Sequence, residues 1–214
     1  MKLFKSKTIF WPTWQGWTMI FLITSGLLLV VIWNVHQFLA ITNRVTNSDI
    51  LVVETWVPEI VVRATAREFK EGNYRLLLIS GIREYNSQDN LPQNVRKSSV
   101  ANRIVAMGIS RNRIIECYAT ETDSQRSEAM AIAVRDTLLH GGIATKGVNL
   151  IAPAAHARKT WLVYHRTLAS EAPVGIIAVP TGDYDPAHWW RTTQGAKWVI
   201  SNGIGWVYEW FAGP

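Results

Sequence analysis

A single cysteine, Cys117, stands in a chain of 214 residues. One thiol forms no internal disulfide and builds no cysteine-based metal site. Charge is missing from one long stretch, because no Lys, Arg, Asp or Glu lies between Thr8 and Asn43. Neither a G-x-G-x-x-G run nor a Walker-type loop occurs, so a standard dinucleotide or triphosphate site has no support. The histidines His36, His140, His156, His165 and His188 are scattered without metal-ligand spacing. No metal and no cofactor is therefore expected. The net charge of +6 owes half its value to Lys2, Lys5 and Lys7, and the remaining balance is too even for a nucleic-acid partner. Internal repeats and low-complexity tracts are also lacking.

Apolar residues make up 48% of the chain and charged residues 18%, which allows one well-packed domain without disulfide support. The most apolar segment, Trp17 to Val35, reads WTMIFLITSGLLLVVIWNV. At about 1.5 Å per residue it spans roughly 29 Å, the thickness of a bilayer core. Three lysines precede it, whereas Arg44 follows with Asp49 and Glu54 close behind. The positive-inside rule then places the N-terminus in the cytoplasm. A cleaved signal peptide is the competing reading. Phe38 to Thr42 offer no small-x-small cleavage site, which favours an uncleaved anchor. The expected organisation is a cytoplasmic tail over 1–16, a transmembrane helix over 17–40, a linker over 41–48 and an extracytoplasmic domain over 49–214. The partner implied is the lipid bilayer of the cytoplasmic (inner) membrane.

Beyond the linker, apolar β-rich runs alternate with helical patterns. Ile50 to Val53, Leu76 to Ile79, Ile114-Ile115, Val148 to Ile151 and Val174 to Ile177 read as strands. Helices are expected from about Pro58 to Gly72, near 94–107, from Ser124 or Ser127 to Gly141, from His156 to Leu168 and over 194–211. Such alternation with continuous apolar strands means an α/β fold, a parallel sheet of about five strands covered on both faces. In the last helix Ala196, Val199, Ile200, Gly203, Val207, Trp210 and Phe211 share one face, expected to pack on the sheet. Trp198 and Trp206 lie off it, under a loop or against the bilayer.

Several fragments, taken in order, resemble the YdcF/SanA/ElyC family of bacterial Rossmann-like domains. They are Asp49 opening the first strand, Ser80-Gly81 ending the second, and Met107-Gly108-Ile109 before the third. Thr122-Asp123-Ser124, a fourth strand leading to His156, and Asp183-Tyr184-Asp185-Pro186 followed by Trp189-Trp190-Arg191 complete the set. The chain departs from the family where Glu54-Thr55 replaces glycines and where Ile82 follows Gly81. It departs again at Arg126, at Lys159 in place of arginine, and at Asn202 where the family often has glutamate. The resemblance implies a Rossmann-like fold and a role in cell-envelope or peptidoglycan maintenance.

In parallel α/β sheets ligands bind at the carboxyl ends of the strands. His156, Arg158 and Lys159 follow a strand and open a helix, where free N–H groups and the helix dipole favour an anion. His156 is a candidate acid/base, with Glu54 as a second catalytic candidate, and Arg158 and Lys159 are candidates for an anion clamp. Ser80, Gly81, Asp123 and Ser124 are further ligand-binding candidates. Plainer readings stand beside these: a turn at Ser80-Gly81, a helix cap at Asp123-Ser124 or His156, and solvated charge at Arg158 and Lys159. The functional expectation is a membrane-anchored envelope protein that binds a small anionic ligand such as a phosphorylated envelope precursor. Catalysis stays open, and a non-catalytic scaffold is the alternative.

Overall fold

The run Ile50-Leu51-Val52-Val53-Glu54 is buried at all five positions, so both faces of this strand need covering. The structure, a computed structural model described for residues 11–83, 100–120 and 125–212, supplies that cover with helices on either side of one sheet. Strands β1 (Ile50–Glu54), β2 (Leu76–Ile82), β3 (Ile114–Ala119), β4 (Val148–Pro153) and β5 (Val174–Val179) pair in the order β3-β2-β1-β4-β5, all parallel. The described helices are α1 (Trp14–Leu39), α2 (Glu59–Glu71), α3 (Val100–Ala106), α4 (Arg126–His140), α5 (Ala157–Leu168) and α6 (Thr193–Ala212). The expected α/β parallel sheet is what the chain forms.

Alternate residues of each strand feed opposite cores. Ile50, Val52, Leu78 and Leu150 pack with Val134 and Leu138 of α4 and Val163 and Tyr164 of α5. Leu51, Val53, Leu77 and Ile79 pack with Val61, Val62 and Phe69 of α2 and Ile104 of α3. Helix α2 begins one residue after Pro58 and stops where Gly72 donates back to Glu68. Helix α4 begins at Arg126 with Gln125 in the left-handed region at its cap, so Ser127 lies inside the helix rather than capping it. Of the residues expected to be loop and helix ahead of α3, 84–99 lie outside the described part, as do Asp123 and Ser124.

The stretch expected to be a linker is paired. Asn43 exchanges two backbone hydrogen bonds with Ile176 of β5, and Val45 N–H donates to Asn149 Oδ1 at 2.9 Å. Asn149 is buried, and its amide also donates to the Val45 carbonyl and to Tyr74 Oη. Its polarity within an apolar strand is explained by this clasp.

The chain divides into two compact units, one ending at Val35 and the other beginning at His36. The first is most of α1, a helix long and apolar enough to cross a membrane, with a mean hydropathy of 2.2 over its most apolar window. The second holds the sheet. In that unit α6 turns a different face to the protein from the one expected. Gly195, Val199 and Asn202 are buried, whereas Ile200, Val207, Trp210 and Phe211 are exposed. Polar ties set the rotation: Asn202 bonds His156, and Arg166 of α5 donates to the Glu209 and Trp210 carbonyls.

Candidate functional site

Strand order reverses at β1. From β1 the chain steps to β2 and β3 on one side, and from β4 to β5 on the other. The carboxyl ends of β1 and β4 therefore flank the topological switch point, where open parallel sheets bind ligands. Glu54 closes β1 there, and His156 follows β4 at the end of a one-turn 3-10 helix that leads into α5. The structure brings these two candidates together.

Glu54 is only 3% exposed. Its Oε2 accepts a hydrogen bond from Trp56 Nε1 at 2.6 Å, while Oε1 makes no hydrogen bond of good geometry among the described residues. Burial pushes its carboxyl up to about 7, against the opposing pull of the Trp56 bond, the Lys159 charge and the nearby Tyr164 hydroxyl. At neutral pH this side chain is divided between carboxylate and carboxylic acid, the condition of a working general acid or base.

His156 is 9% exposed, and its Nδ1 lies 2.6 Å from Asn202 Oδ1. The amide of Asn202 donates to the Trp198 carbonyl at 2.7 Å, which orients Oδ1 as the acceptor facing the ring. The histidine proton therefore sits on Nδ1, and Nε2 presents a bare lone pair with no partner. Burial drives His156 down to about 4; the Asn202 bond opposes that, and the Lys159 charge reinforces it. The imidazole is neutral at physiological pH. Trp56 meets this ring edge-on at 4.9 Å and also contacts Trp198, so one indole touches both members of the pair.

Among the described residues two more buried polar atoms make no hydrogen bond of good geometry, Thr160 Oγ1 and Tyr164 Oη. With His156 they fall at i, i+4 and i+8, one above another along α5. The Tyr164 phenol reaches the neighbourhood of Glu54 and Ser80, yet no hydrogen bond of good geometry forms. Burial, followed by the Glu54 charge, raises it well above the usual phenol range, so it stays a neutral hydroxyl. The site is thus a buried row of His156, Thr160 and Tyr164 on one helix, two of whose members, His156 and Tyr164, neighbour Glu54 or its partner Trp56 at the end of β1.

The other candidates divide. Lys159 belongs with the cluster: its charge acts on both Glu54 and His156, and its aliphatic stem runs beside Gly205 of α6. Arg158 does not join it. That guanidinium donates through Nε to the Phe38 carbonyl and stacks over the Phe38 ring at 3.9 Å. Ser80 is fully buried and donates to the Met130 carbonyl at 2.9 Å, tying β2 to α4. A Cβ on Gly81 would sit 2.6 Å from Thr55 Oγ1 and 3.0 Å from Tyr118, so close packing between neighbouring strand ends accounts for this glycine. Asp123 and Ser124 lie outside the described residues.

Trp56, Thr160 and Tyr164 were not among the expected site residues. The spacing of His156, Thr160 and Tyr164 on one helix was a usable signal, and Trp56 stands two residues beyond Glu54. Cys117 is buried, with its thiol pushed up to about 11 by burial, and offers no nucleophile. Among the described residues no group of three or more His, Cys, Asp or Glu is placed to hold a metal ion. No protein-family model, curated protein or solved structure matches this chain.

Proposed function

We propose that this is a membrane-anchored domain that binds a small phosphorylated, hydroxyl-bearing ligand at the β1/β4 switch point, in the service of cell-envelope or peptidoglycan maintenance. The observation that carries the site is a set of buried polar atoms that, among the described residues, make no hydrogen bond of good geometry: Glu54 Oε1, His156 Nε2, Thr160 Oγ1 and Tyr164 Oη. A buried polar group left unpaired costs about 1–3 kcal/mol, so such a concentration is a destabilising feature unless something completes it. His156 Nε2 accepts only, and the two hydroxyls both donate and accept. Hydroxyl groups on a ligand match that set, and Lys159 supplies the cation for its phosphate.

The envelope setting follows from the membrane reading of α1, taken as an uncleaved anchor with its N-terminus in the cytoplasm. The basic residues before α1 and the absence of a cleavage site after it support that orientation. The resemblance to YdcF/SanA/ElyC proteins points the same way. Should the bound ligand react, Glu54 would exchange the proton and neutral His156 would accept one from a ligand hydroxyl. Non-catalytic scaffolding is the second reading, favoured by the loss of the family acid at Asn202.

A thermal-shift screen of the full chain in detergent against sugar phosphates tests the binding. A ligand at one hundred times its dissociation constant stabilises by about 2.7 kcal/mol. The shift is expected to disappear in His156→Ala and Lys159→Ala and to persist in Arg158→Ala. No shift with any sugar phosphate from folded protein would favour the scaffold.

A further inference from the structure

Helix α6 carries an apolar stripe that none of the described residues covers. Ile200, Ile204, Val207, Tyr208 and Phe211 recur at i, i+4, i+7, i+8 and i+11 on one face, between 46% and 82% exposed, with Trp210 beside them. The opposite face is committed to the domain through Val199 and Asn202. A contiguous row of this kind on a soluble surface marks an interaction site.

Its position in the chain identifies the occupant. Helix α1 has 26 residues and is about 39 Å long, more than the roughly 30 Å of a bilayer core. If α1 spans the bilayer, its last turn stands in the headgroup layer. That turn, His36 to Leu39, belongs to the same compact unit as α6. Phe38 packs edge-on against Trp206 at 4.8 Å, and a Cβ on Gly203 would lie 3.9 Å from Leu39. The residues just beyond the span therefore rest on α6, one helical turn from Val207 and Trp210. Exposed Lys197, and Arg166 at the C-terminal end of α6, supply cations for anionic headgroups.

We propose that α6 lies in the membrane interface, with the stripe from Ile200 to Phe211 buried among lipids and Tyr208 and Trp210 at headgroup depth. The protein is then held by two elements, the spanning helix and a surface helix whose other face carries Asn202 of the ligand site. The inference rests on α1 spanning the bilayer and does not depend on the ligand.

The full chain, reconstituted in phosphatidylethanolamine/phosphatidylglycerol vesicles, provides the test. Ile204→Cys and, separately, Phe211→Cys are labelled with an environment-sensitive fluorophore, and Arg63→Cys on α2 serves as the exposed reference. Cys117 is buried and does not compete for the label. Phospholipids carrying a nitroxide high on the acyl chain are expected to quench positions 204 and 211 several-fold more than position 63. Two stripe positions guard against one variant failing to fold. Equal quenching at all three positions overturns the proposal. So does disulfide formation between Ile204→Cys copies with the stripe labels unquenched, because the stripe is then a self-association face. Alkaline extraction of the same vesicles reports whether α1 is inserted, which separates a failed anchor from a failed surface contact.

Discussion

Glu54 and His156 share one buried site and are displaced in opposite senses. The Glu54 carboxyl is raised from 4.5 to about 7, so the folded state holds the extra proton and stability falls as pH rises through that window. His156 is lowered from 6.5 to about 4, so its stabilising contribution is complete above 6.5 and is lost as pH falls toward 4. Each shift corresponds to about 3 kcal/mol at most. Between roughly pH 4.5 and 6.5 the two slopes oppose each other, and the wild-type chain should show little net dependence from this pair. Melting curves across that range are expected to separate them. Glu54→Gln should lose stability as pH falls, and His156→Gln should lose it as pH rises. Parallel curves for the two variants would mean that the side chains are solvated. Gly81→Ala belongs to the same scale: its methyl group meets Thr55 and Tyr118, and a loss of about 1–3 kcal/mol is expected in denaturant titration.

At the scale of elements, the strands were legible because burial on both faces leaves only aliphatic runs, as in Ile50 to Val53 and Val148 to Ile151. Helix α5 is legible in extent, but its polar row does not stand out in the sequence, because Tyr164 is unremarkable until Glu54 is seen beside it. Helix α6 buries a different face from the one its apolar periodicity indicates. Apolar periodicity indicates which face avoids water, but not whether protein or lipid covers it. The face that packs on the domain is organised by Asn202, whose role depends on contact with His156, 46 residues earlier. Asn202→Leu leaves the His156 Nδ1–H without its acceptor and should cost about 1–3 kcal/mol in melting experiments. It should also release the tautomer, so sugar-phosphate binding weakens beyond what lower stability explains. Arg158 clamps α5 to the last turn of α1 through the Phe38 carbonyl and ring. Arg158→Ala is expected to cost about 1–2 kcal/mol, with ligand binding intact.

Across the whole molecule, the α/β fold and the single apolar helix could both be read from the sequence, since each rests on a run of like residues. The site could be read only in part. Glu54 ends a strand and His156 and Lys159 follow one at the start of a helix, where the fold class directs attention, and the structure gathers them. Arg158 is adjacent in sequence to Lys159 but points elsewhere, because successive residues on a helix diverge by about 100°. Asp49, a marker of the resemblance, sits at the opposite end of β1 from Glu54. It accepts from Thr145 Oγ1 and Lys146 N there and pairs with Arg75, a structural clasp remote from the cluster.

The central claim is that a closed polar site at the β1/β4 switch point holds a neutral histidine with its lone pair turned inward. Long-range nitrogen-15 spectra of the full chain, with His156 assigned by its absence from His156→Gln, test it most directly. A neutral ring protonated on Nδ1 is expected from about pH 5 to 8, with the Nε2 resonance moving when a sugar phosphate is added. A His156 that titrates near 6.5 with both nitrogens exchanging freely would contradict the account, because the ring would then be open to water.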